Sequence, residues 1–394
     1  MVHGANEILQ ADLENWLDPA DPEGAIKSSL SAIDWSFVDR RSHSEIEGIH
    51  PYPAKFIAEI PRAILSALPL PKSTAVLDPF CGSGSTLVES QRLGIPSVGI
   101  DLNPIACLMS RVKTASCPVD LEEHAAEIVR SSRGVPKNDV PEIPNLDHWF
   151  TPSVQIEINK IATAISAAAS EVQDCLRLAL SSIIVRVSNQ ESDTRYAAVD
   201  KNIAPEAVPA LFLRAAGRIN VALKGREYAL SPVDVIEGDI LKVEPREIGQ
   251  PVGLVATSPP YPNAYEYWLY HKYRMWWLGY DPLKVKADEI GARAHFFKKN
   301  HHTADDFARQ MRQTLHLLDS VVVKGGYIAF VVGRSKIHGK LHDNAEIIND
   351  EASSIGFKPF FMTDRILSAS RKSFNLSHAN IKTETILILR KEVE

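Results

Sequence analysis

Cysteine is scarce in this chain. Cys81, Cys107, Cys117 and Cys175 are its four cysteines, and no two form a CxxC pair. That spacing excludes the usual thiolate zinc sites, argues against a disulfide framework and fits a reducing, cytoplasmic setting. No apolar run reaches the roughly 18 residues that a membrane span needs. The stretch from Met1 to Asp21 is acidic and lacks a basic, apolar leader pattern, so no targeting segment is expected. An excess of basic charge is missing too. Lys and Arg total 43 against 49 Asp and Glu, a net charge of −6. This excludes a uniformly basic surface but leaves room for a local basic cleft. No internal repeat or low-complexity segment stands out.

What remains is the composition of an ordinary soluble globular protein: 394 residues, 45% hydrophobic and 23% charged. That length suits one large domain or two moderate ones. Residues 1 to about 45 form a polar lead-in with Asp-Pro turns at Asp18 and Asp21. His50-Pro51-Tyr52-Pro53-Ala54-Lys55-Phe56 follows and turns rigidly into a helix whose apolar residues, Phe56, Ile57, Ile60, Ile64 and Leu68, recur at helical spacing.

Ala75 to Asp78 reads as a strand, and Pro79-Phe80-Cys81-Gly82-Ser83-Gly84-Ser85-Thr86 as a glycine-rich turn into a helix. Ser83, Ser85 or Thr86 is expected to cap that helix, and Gly94 to end it. A second strand, Ser97 to Ile100, leads to Asp101. Strand, glycine loop, helix, strand and acid make a dinucleotide-type half-unit, in which the acid accepts from ribose hydroxyls. The glycines follow GxG rather than the full GxGxxG, and no GKS or GKT follows, so a P-loop is not expected. Few cations flank the loop, which favours a ligand without phosphates.

Residues 120–230 change character. Leu121–Val129, Ser153–Ala169, Val172–Val187 and Ala207–Leu223 have helical periodicity, with a proline-bearing linker at 136–144. Among them lies a polar patch, 186–196. It reads either as a solvated loop or as a substrate surface with Arg186, Asn189, Gln190 and Arg195 as readers. The α/β pattern resumes with a strand at Val233–Ile236 and an acid at Asp239. The next strand, Val252–Ala256, leads to Thr257-Ser258-Pro259-Pro260-Tyr261. Prolines lack N–H donors and fix φ, so they stop the strand, stiffen the loop and leave carbonyls as acceptors beside a flat ring. Taken alone, this is either a proline-rich turn or a seat for a planar group bearing an exocyclic amine.

Aromatic and basic residues interleave from Tyr265 to Trp277. They suit either base stacking and phosphate pairing or an amphipathic helix that buries its rings. Lys284–His302 reads as a charged, mobile loop. Its histidines lack an acid or cysteine at ligand spacing, so no metal site is expected. A helix over Thr303–Val323, a Gly325-Gly326 turn, a strand over Tyr327–Val332, a helix over Asn344–Ile355 and a final strand pair, Phe357–Leu367 with Thr383–Leu389, complete the chain.

In this order the motifs resemble the S-adenosylmethionine-dependent DNA amino-methyltransferases, which methylate the exocyclic nitrogen of cytosine or adenine. Asp78–Thr86 is similar to their cofactor loop. Thr257–Tyr261 is similar to their catalytic loop in the serine form typical of N4-cytosine enzymes. His50–Phe56 is similar to the motif around the methionine end of the cofactor. The resemblance covers about residues 45–110 and 233–390.

It implies a Rossmann-like class I methyltransferase fold, α/β, with a mostly parallel seven-stranded sheet and an inserted helical subdomain. It also implies three parts: a lead-in over 1–45, a catalytic domain over 46–118 and 233–394, and a helical insertion over 119–232 that is a candidate target-recognition region. S-adenosyl-L-methionine would be held by Tyr52, Lys55, Phe56, Asp78, Phe80, Gly82 and Gly84 at its methionine side, by Asp101 and Leu102 at the ribose, by Asp239 and Ile240 at the adenine, and by Ser258. Catalysis would fall to Ser258, Pro259, Pro260 and Tyr261. Tyr265, Arg371, Lys372 and Phe374, with Arg186, Asn189 and Arg195, would contact the substrate. The implied partners are double-stranded DNA and a cognate restriction endonuclease. Here the cofactor half precedes the catalytic loop, a departure from the commonest arrangement of N4-cytosine enzymes. Adenine N6 therefore stands as the alternative target, beside an RNA methyltransferase and a catalytically inactive DNA-binding subunit.

Overall fold

The computed structural model describes residues 21–38, 45–53, 56–136, 140–193, 195–262, 266–296, 301–367 and 383–393. Helix α1 (Pro22–Ala32) opens the described chain, with the Asp21 carboxylate capping its N-terminus. Helix α2 (Glu59–Ala67) precedes strand β1 (Ala75–Asp78), helix α3 (Ser85–Arg92), strand β2 (Ser97–Asp101) and helix α4 (Pro104–Thr114). The last of these escapes the periodicity reading of the sequence. It starts where the Asn103 side chain accepts the Ile105 N–H at 2.9 Å, with Pro104 at the first helical position.

Helices α5 (Leu121–Ser132), α6 (Pro152–Ser166) and α7 (Ser170–Ile183) come next, and then a hairpin of β3 (Gln190–Ser192) and β4 (Arg195–Ala198). The polar patch is thus built as a hairpin. Helix α8 (Ala207–Lys224) leads back to strands β5 (Val233–Glu237) and β6 (Val252–Thr257). Helices α9 (Tyr267–Trp277) and α10 (Pro282–Asp288) follow, and a further helical turn forms at Arg293–Phe296. The described part of the charged run expected to be a loop is therefore largely helical. Asp281 caps α10 by accepting from Leu283 N–H, and Pro282 sits at its first position. Helix α11 (Ala304–Val321), strands β7 (Val322–Ile337) and β8 (Lys340–Asp343), helix α12 (Asn344–Ser353) and strands β9 (Phe357–Ile366) and β10 (Thr383–Lys391) complete the fold. Among the described residues no helix is long and apolar enough to cross a membrane.

Seven strands form one path, β5-β2-β1-β6-β7-β10-β9, and β8 pairs with the far end of β7 as an eighth. β5, β2, β1, β6 and β7 run parallel, and β10 is antiparallel to both β7 and β9. This is the mostly parallel, Rossmann-like sheet that the motifs imply. Parallel strands are covered on both faces and so are apolar throughout; β1 and β6 are buried at every residue. Side-chain alternation divides the core. Val76, Leu254, Ala329 and Ile386 pack with Ile60 and Ile64 of α2 on one face. Leu77, Val255, Ile328 and Leu387 pack with Phe307, Met311 and Leu315 of α11 on the other.

The glycine pair expected to turn into the strand lies within β7 instead. Gly325 takes φ +77°, and a Cβ on Gly326 would lie 2.9 Å from the Gly253 carbonyl. The pair forms an irregularity between the Val252↔Val322 and Leu254↔Tyr327 registers. Glycine is needed there because β6 approaches so closely.

The helices of 121–224 share one core with α4 and α9, in which Leu108, Leu176, Ile183, Phe212 and Trp277 meet. Arg111 of α4 pairs with Asp174 of α7 at 2.7 Å across this junction, and a second, more deeply buried ionic contact crosses it at α9. Arg274 of α9 is 1% exposed. Its guanidinium pairs with Asp193 at the hairpin tip and donates to the carbonyls of Ser181 at 3.1 Å and Tyr270 at 2.9 Å. Removing the anion strands a buried cation, which costs about 3 kcal/mol. Asp193→Ala should lose about that much unfolding free energy in urea, whereas Arg195→Ala, which breaks an exposed pair with Glu191, should lose under ~0.5 kcal/mol. Equal small losses would mean that the two carbonyls alone compensate the guanidinium.

Candidate active site

The C-terminal ends of β1, β2, β5 and β6 lie along one edge of the sheet, where ligands of such folds bind. Asp78 ends β1, Asp101 ends β2 and Thr257 ends β6. A cleft opens over them.

Its floor is the glycine loop. Gly82 (φ +50°) and Gly84 (φ +80°) hold that loop in the left-handed region. A Cβ on Gly82 would sit 3.2 Å from the Tyr52 hydroxyl, within the cleft, and one on Gly84 would fall 2.7 Å from the Ser110 hydroxyl. From α4 below, Ser110 donates to the Gly82 carbonyl at 3.1 Å and the buried Lys113 ammonium donates to the Ser83 carbonyl at 2.7 Å. Anchoring these carbonyls from below sets how the loop backbone presents itself to the cleft. The residue at the helix cap is Gly84, with no side-chain hydrogen bond. The expected hydroxyl cap is thus replaced by a tight left-handed entry.

Asp101 accepts the Gly82 N–H on one oxygen and the Asn103 N–H on the other, both at 2.8 Å. Burial pushes its carboxyl up to about 6, against the lowering effect of those two bonds. Asp239 lies just beyond β5, accepts the Leu241 N–H at 3.0 Å and pairs with Lys242 at 3.0 Å; Lys242 also reaches Asp288 at 2.9 Å.

Ser258 projects from the end of β6 and donates its hydroxyl to the Val331 carbonyl of β7 at 2.9 Å. With its one donor committed, the oxygen can only accept from anything else in the cleft. Pro259 is buried, and Pro260 and Tyr261 are half-buried. A Cβ on Gly291 would lie 2.8 Å from the Tyr261 carbonyl, so the chain after α10 is packed directly on this loop.

Of the residues proposed from the sequence, Tyr52, Phe56, Phe80, Gly82, Asp101, Leu102, Asp239, Ile240, Ser258 and Pro260 line one cleft. Asp78 does not line it. Its carboxyl is 1% exposed and accepts the Thr257 hydroxyl at 2.6 Å and the Phe80 N–H at 3.2 Å. Gly84 lies beneath the loop, against Ser110. Arg186 and Arg195 are exposed outside the cleft, and Asn189 joins the base of the hairpin to Trp149 through its backbone N–H at 2.7 Å. Lys55, Tyr265, Arg371, Lys372 and Phe374 lie outside the described residues.

The cleft also holds residues that the motifs do not mark: Asn103, Tyr267, Val285, Asp288, Glu289 and Ile290. Glu289 is 6% exposed and accepts the N–H groups of Tyr267 at 2.9 Å and Trp268 at 2.8 Å. No local pattern marks it, because its burial comes from the folding of a charged-looking segment over the sheet edge.

Four carboxylates and the rings of Tyr52, Phe56, Phe80 and Tyr267 line the cleft, and no lysine or arginine does among the described residues. A pyrophosphate would be repelled here. A cation carrying a planar base and a ribose fits, and S-adenosylmethionine is such a molecule.

The DNA methylase family matches residues 16–111, the stretch that supplies Tyr52, the glycine loop and Asp101. Similar curated proteins are the Type II methyltransferases M.MjaII of Methanocaldococcus jannaschii, 36% identical over 86 residues, and M.MvaI of Kocuria varians, 27% over 157. M.BsoBI of Geobacillus stearothermophilus is 21% identical over 285 residues. The matches take in 21%, 36% and 60% of this chain, and 16%, 35% and 53% of the three relatives. The chain thus spans at most about half the length of the methyltransferases it matches.

The Asp78–Thr257 bond yields a pH-dependent expectation. Burial raises the Asp78 carboxyl from 3.8 to about 6. The folded state therefore binds this proton more tightly than the unfolded one, and the group's contribution to stability declines as pH rises from about 4 to about 6. Above about pH 6 the Thr257 hydroxyl bonds an anion, and at pH 5 a mostly neutral acid. Thr257→Val should thus cost about 2 kcal/mol at pH 8 and about 1 kcal/mol at pH 5, read from denaturant unfolding. An identical loss at both values would mean that the carboxyl does not change charge between them.

Proposed function

We propose that this protein is a site-specific DNA methyltransferase acting on an exocyclic amino group of a base turned out of the duplex, with cytosine N4 as the favoured target. The observation that carries the reading is Ser258. Its hydroxyl is spent on Val331, which leaves an oxygen acceptor at the wall of a cleft whose other wall carries Asp101 and Asp239.

An exocyclic amine is a poor nucleophile because its lone pair is delocalised into the ring. Acceptors on its N–H groups draw the nitrogen toward a tetrahedral shape and free that pair. The Ser258 oxygen and the Pro259 carbonyl are the proposed acceptors, and Tyr261 is the proposed stacking surface for the base. Pro259 and Pro260 hold these groups without backbone N–H donors that would compete for them. S-adenosylmethionine, when bound, supplies a methyl group on a positively charged sulfur. Tyr52, Phe56, the glycine loop, Asp101, Leu102, Asp239 and Ile240 would hold it. Displacement at a methyl group demands alignment of donor, carbon and acceptor, so the protein's contribution is largely positioning. Extrusion of the base is needed because the amine is out of reach inside the stack.

Arg186, Asn189 and Arg195 are proposed DNA contacts on the 119–232 segment, and Lys55, Tyr265, Arg371, Lys372 and Phe374 keep the roles that the resemblance implies. A cognate endonuclease is the proposed partner. Adenine N6 is the second reading, supported by the order of the two halves, with the cofactor loop first.

Ser258→Ala and Tyr261→Ala should each lower methyl incorporation into duplex DNA by about 100-fold or more while retaining S-adenosylmethionine binding. Tritiated methyl transfer to duplex DNA and to total RNA, followed by nucleoside digestion, measures this and identifies the base. Undiminished incorporation in both variants, or transfer to RNA alone, would overturn the reading.

A further inference from the structure

Among the carboxylates of the cleft, charge is matched unevenly. Asp239 and Asp288 share Lys242. Asp101 and Glu289 are held by backbone N–H groups, and neither has a salt bridge among the described residues. Asp101 closes β2 on the nucleoside side, next to Gly82 and Asn103. Glu289 comes from the segment that follows α10, with Asp101 nearby. It caps α9 through Tyr267 and Trp268, borders the Tyr52 ring, and is followed after one residue by Gly291, which packs on the Tyr261 carbonyl. It is therefore the cleft carboxylate joined by backbone to the wall where the amine would be methylated.

Asp78, the acid that the resemblance assigns to the amino-acid end of the cofactor, is turned into the sheet toward Thr257. That leaves the amino-acid end without its expected acid.

We propose that Glu289 is the residue that binds the α-ammonium of the cofactor's amino-acid end. The proposal rests on the cofactor reading given above. Two backbone N–H groups aim both carboxylate oxygens, so the remaining lone pairs are presented in a fixed direction before the ligand arrives. A buried carboxylate with no cation is costly, and an ammonium ion removes that cost. Burial, with Glu266 and Asp101 nearby, pushes the Glu289 carboxyl up to about 8. The same contacts explain why a charged-looking loop folds inward: it brings the cleft an anion and α9 a cap.

The test compares three ligands by calorimetry: S-adenosylmethionine, S-adenosylhomocysteine, and 5′-methylthioadenosine, which lacks the amino-acid end. Glu289→Gln keeps the size and one acceptor but loses the charge. It should weaken the first two about 10- to 100-fold, the loss expected for a charge-assisted hydrogen bond, and leave the third unchanged. Glu289→Asp should restore part of the loss. Parallel weakening of all three would mean that Glu289 serves only as a cap for α9, and would overturn the proposal, as would no weakening at all. A second measurement needs no variant: wild-type protein should bind deaminated S-adenosylhomocysteine at least tenfold more weakly than the parent, and equal affinity overturns the assignment. Failure of the wild type to bind any of these nucleosides would instead overturn the cofactor reading itself.

Discussion

The 2.6 Å hydrogen bond from the Thr257 hydroxyl to the Asp78 carboxylate joins residues 179 positions apart. Asp78 ends β1 and Thr257 ends β6, and the two strands are parallel neighbours. The glycine loop leaves from the first and the Ser-Pro-Pro-Tyr loop from the second. Pinning these ends together sets the distance between the floor of the cleft and its acceptor wall. Two buried, mutually satisfied polar groups do this with less freedom than apolar packing alone would leave. Neighbouring contacts extend the arrangement. Thr86 donates to the Ala256 carbonyl at 3.1 Å, and Ser258 reaches across to Val331, so α3, β1, β6 and β7 are tied together at one edge of the sheet.

Electrostatics gives this edge its selectivity. Carboxylates and aromatic rings surround the cleft, and the described cations near it are spent elsewhere: Lys113 beneath the glycine loop, Lys242 between Asp239 and Asp288. Among the described residues the cleft offers a phosphate no cationic side chain and offers a cation four carboxyl groups. Behind the cleft, Tyr52 stacks on Tyr267 and on the buried His271, at 5.6 and 5.2 Å between ring centroids. Three residues on, Arg274 grips the hairpin of the 121–224 segment. Helix α9 therefore touches the cleft at its start and the helical segment along its length, and α4 likewise joins that segment to the glycine loop.

Much of this was legible in the residues. Continuous apolar runs marked β1, β2 and β6, because strands buried on both faces have no polar side to show. The helical spacing of the alanine-rich stretches marked α6, α7 and α8. The glycine spacing and the acids after the strands marked Gly82, Asp101 and Asp239, and stiff prolines after an apolar run marked Ser258 and Pro260. All five line one cleft. In each case a local rule, of period, turn chemistry or capping, states what the residue does where it stands.

Where the outcome depended on a distant partner, local rules had nothing to act on. Asp78 and Asp101 look alike in sequence, each an acid ending a short buried strand. Only the pairing of β1 with β6 turns the first toward Thr257 and leaves the second facing the cleft. Glu289 sits in a segment as charged as any solvated loop, and it is buried because α10 and Gly291 pack that segment onto Tyr261. Gly325 and Gly326 signal a turn, yet they become an irregularity within β7 because the Gly253 carbonyl lies 2.9 Å from where a Cβ would be. The sequence by itself determined the seven strands of the main sheet path, most of the helices and the two loops. The tertiary structure decided which carboxylates face the cleft and which turn into the sheet, because burial and hydrogen-bond partners are properties of the packed chain.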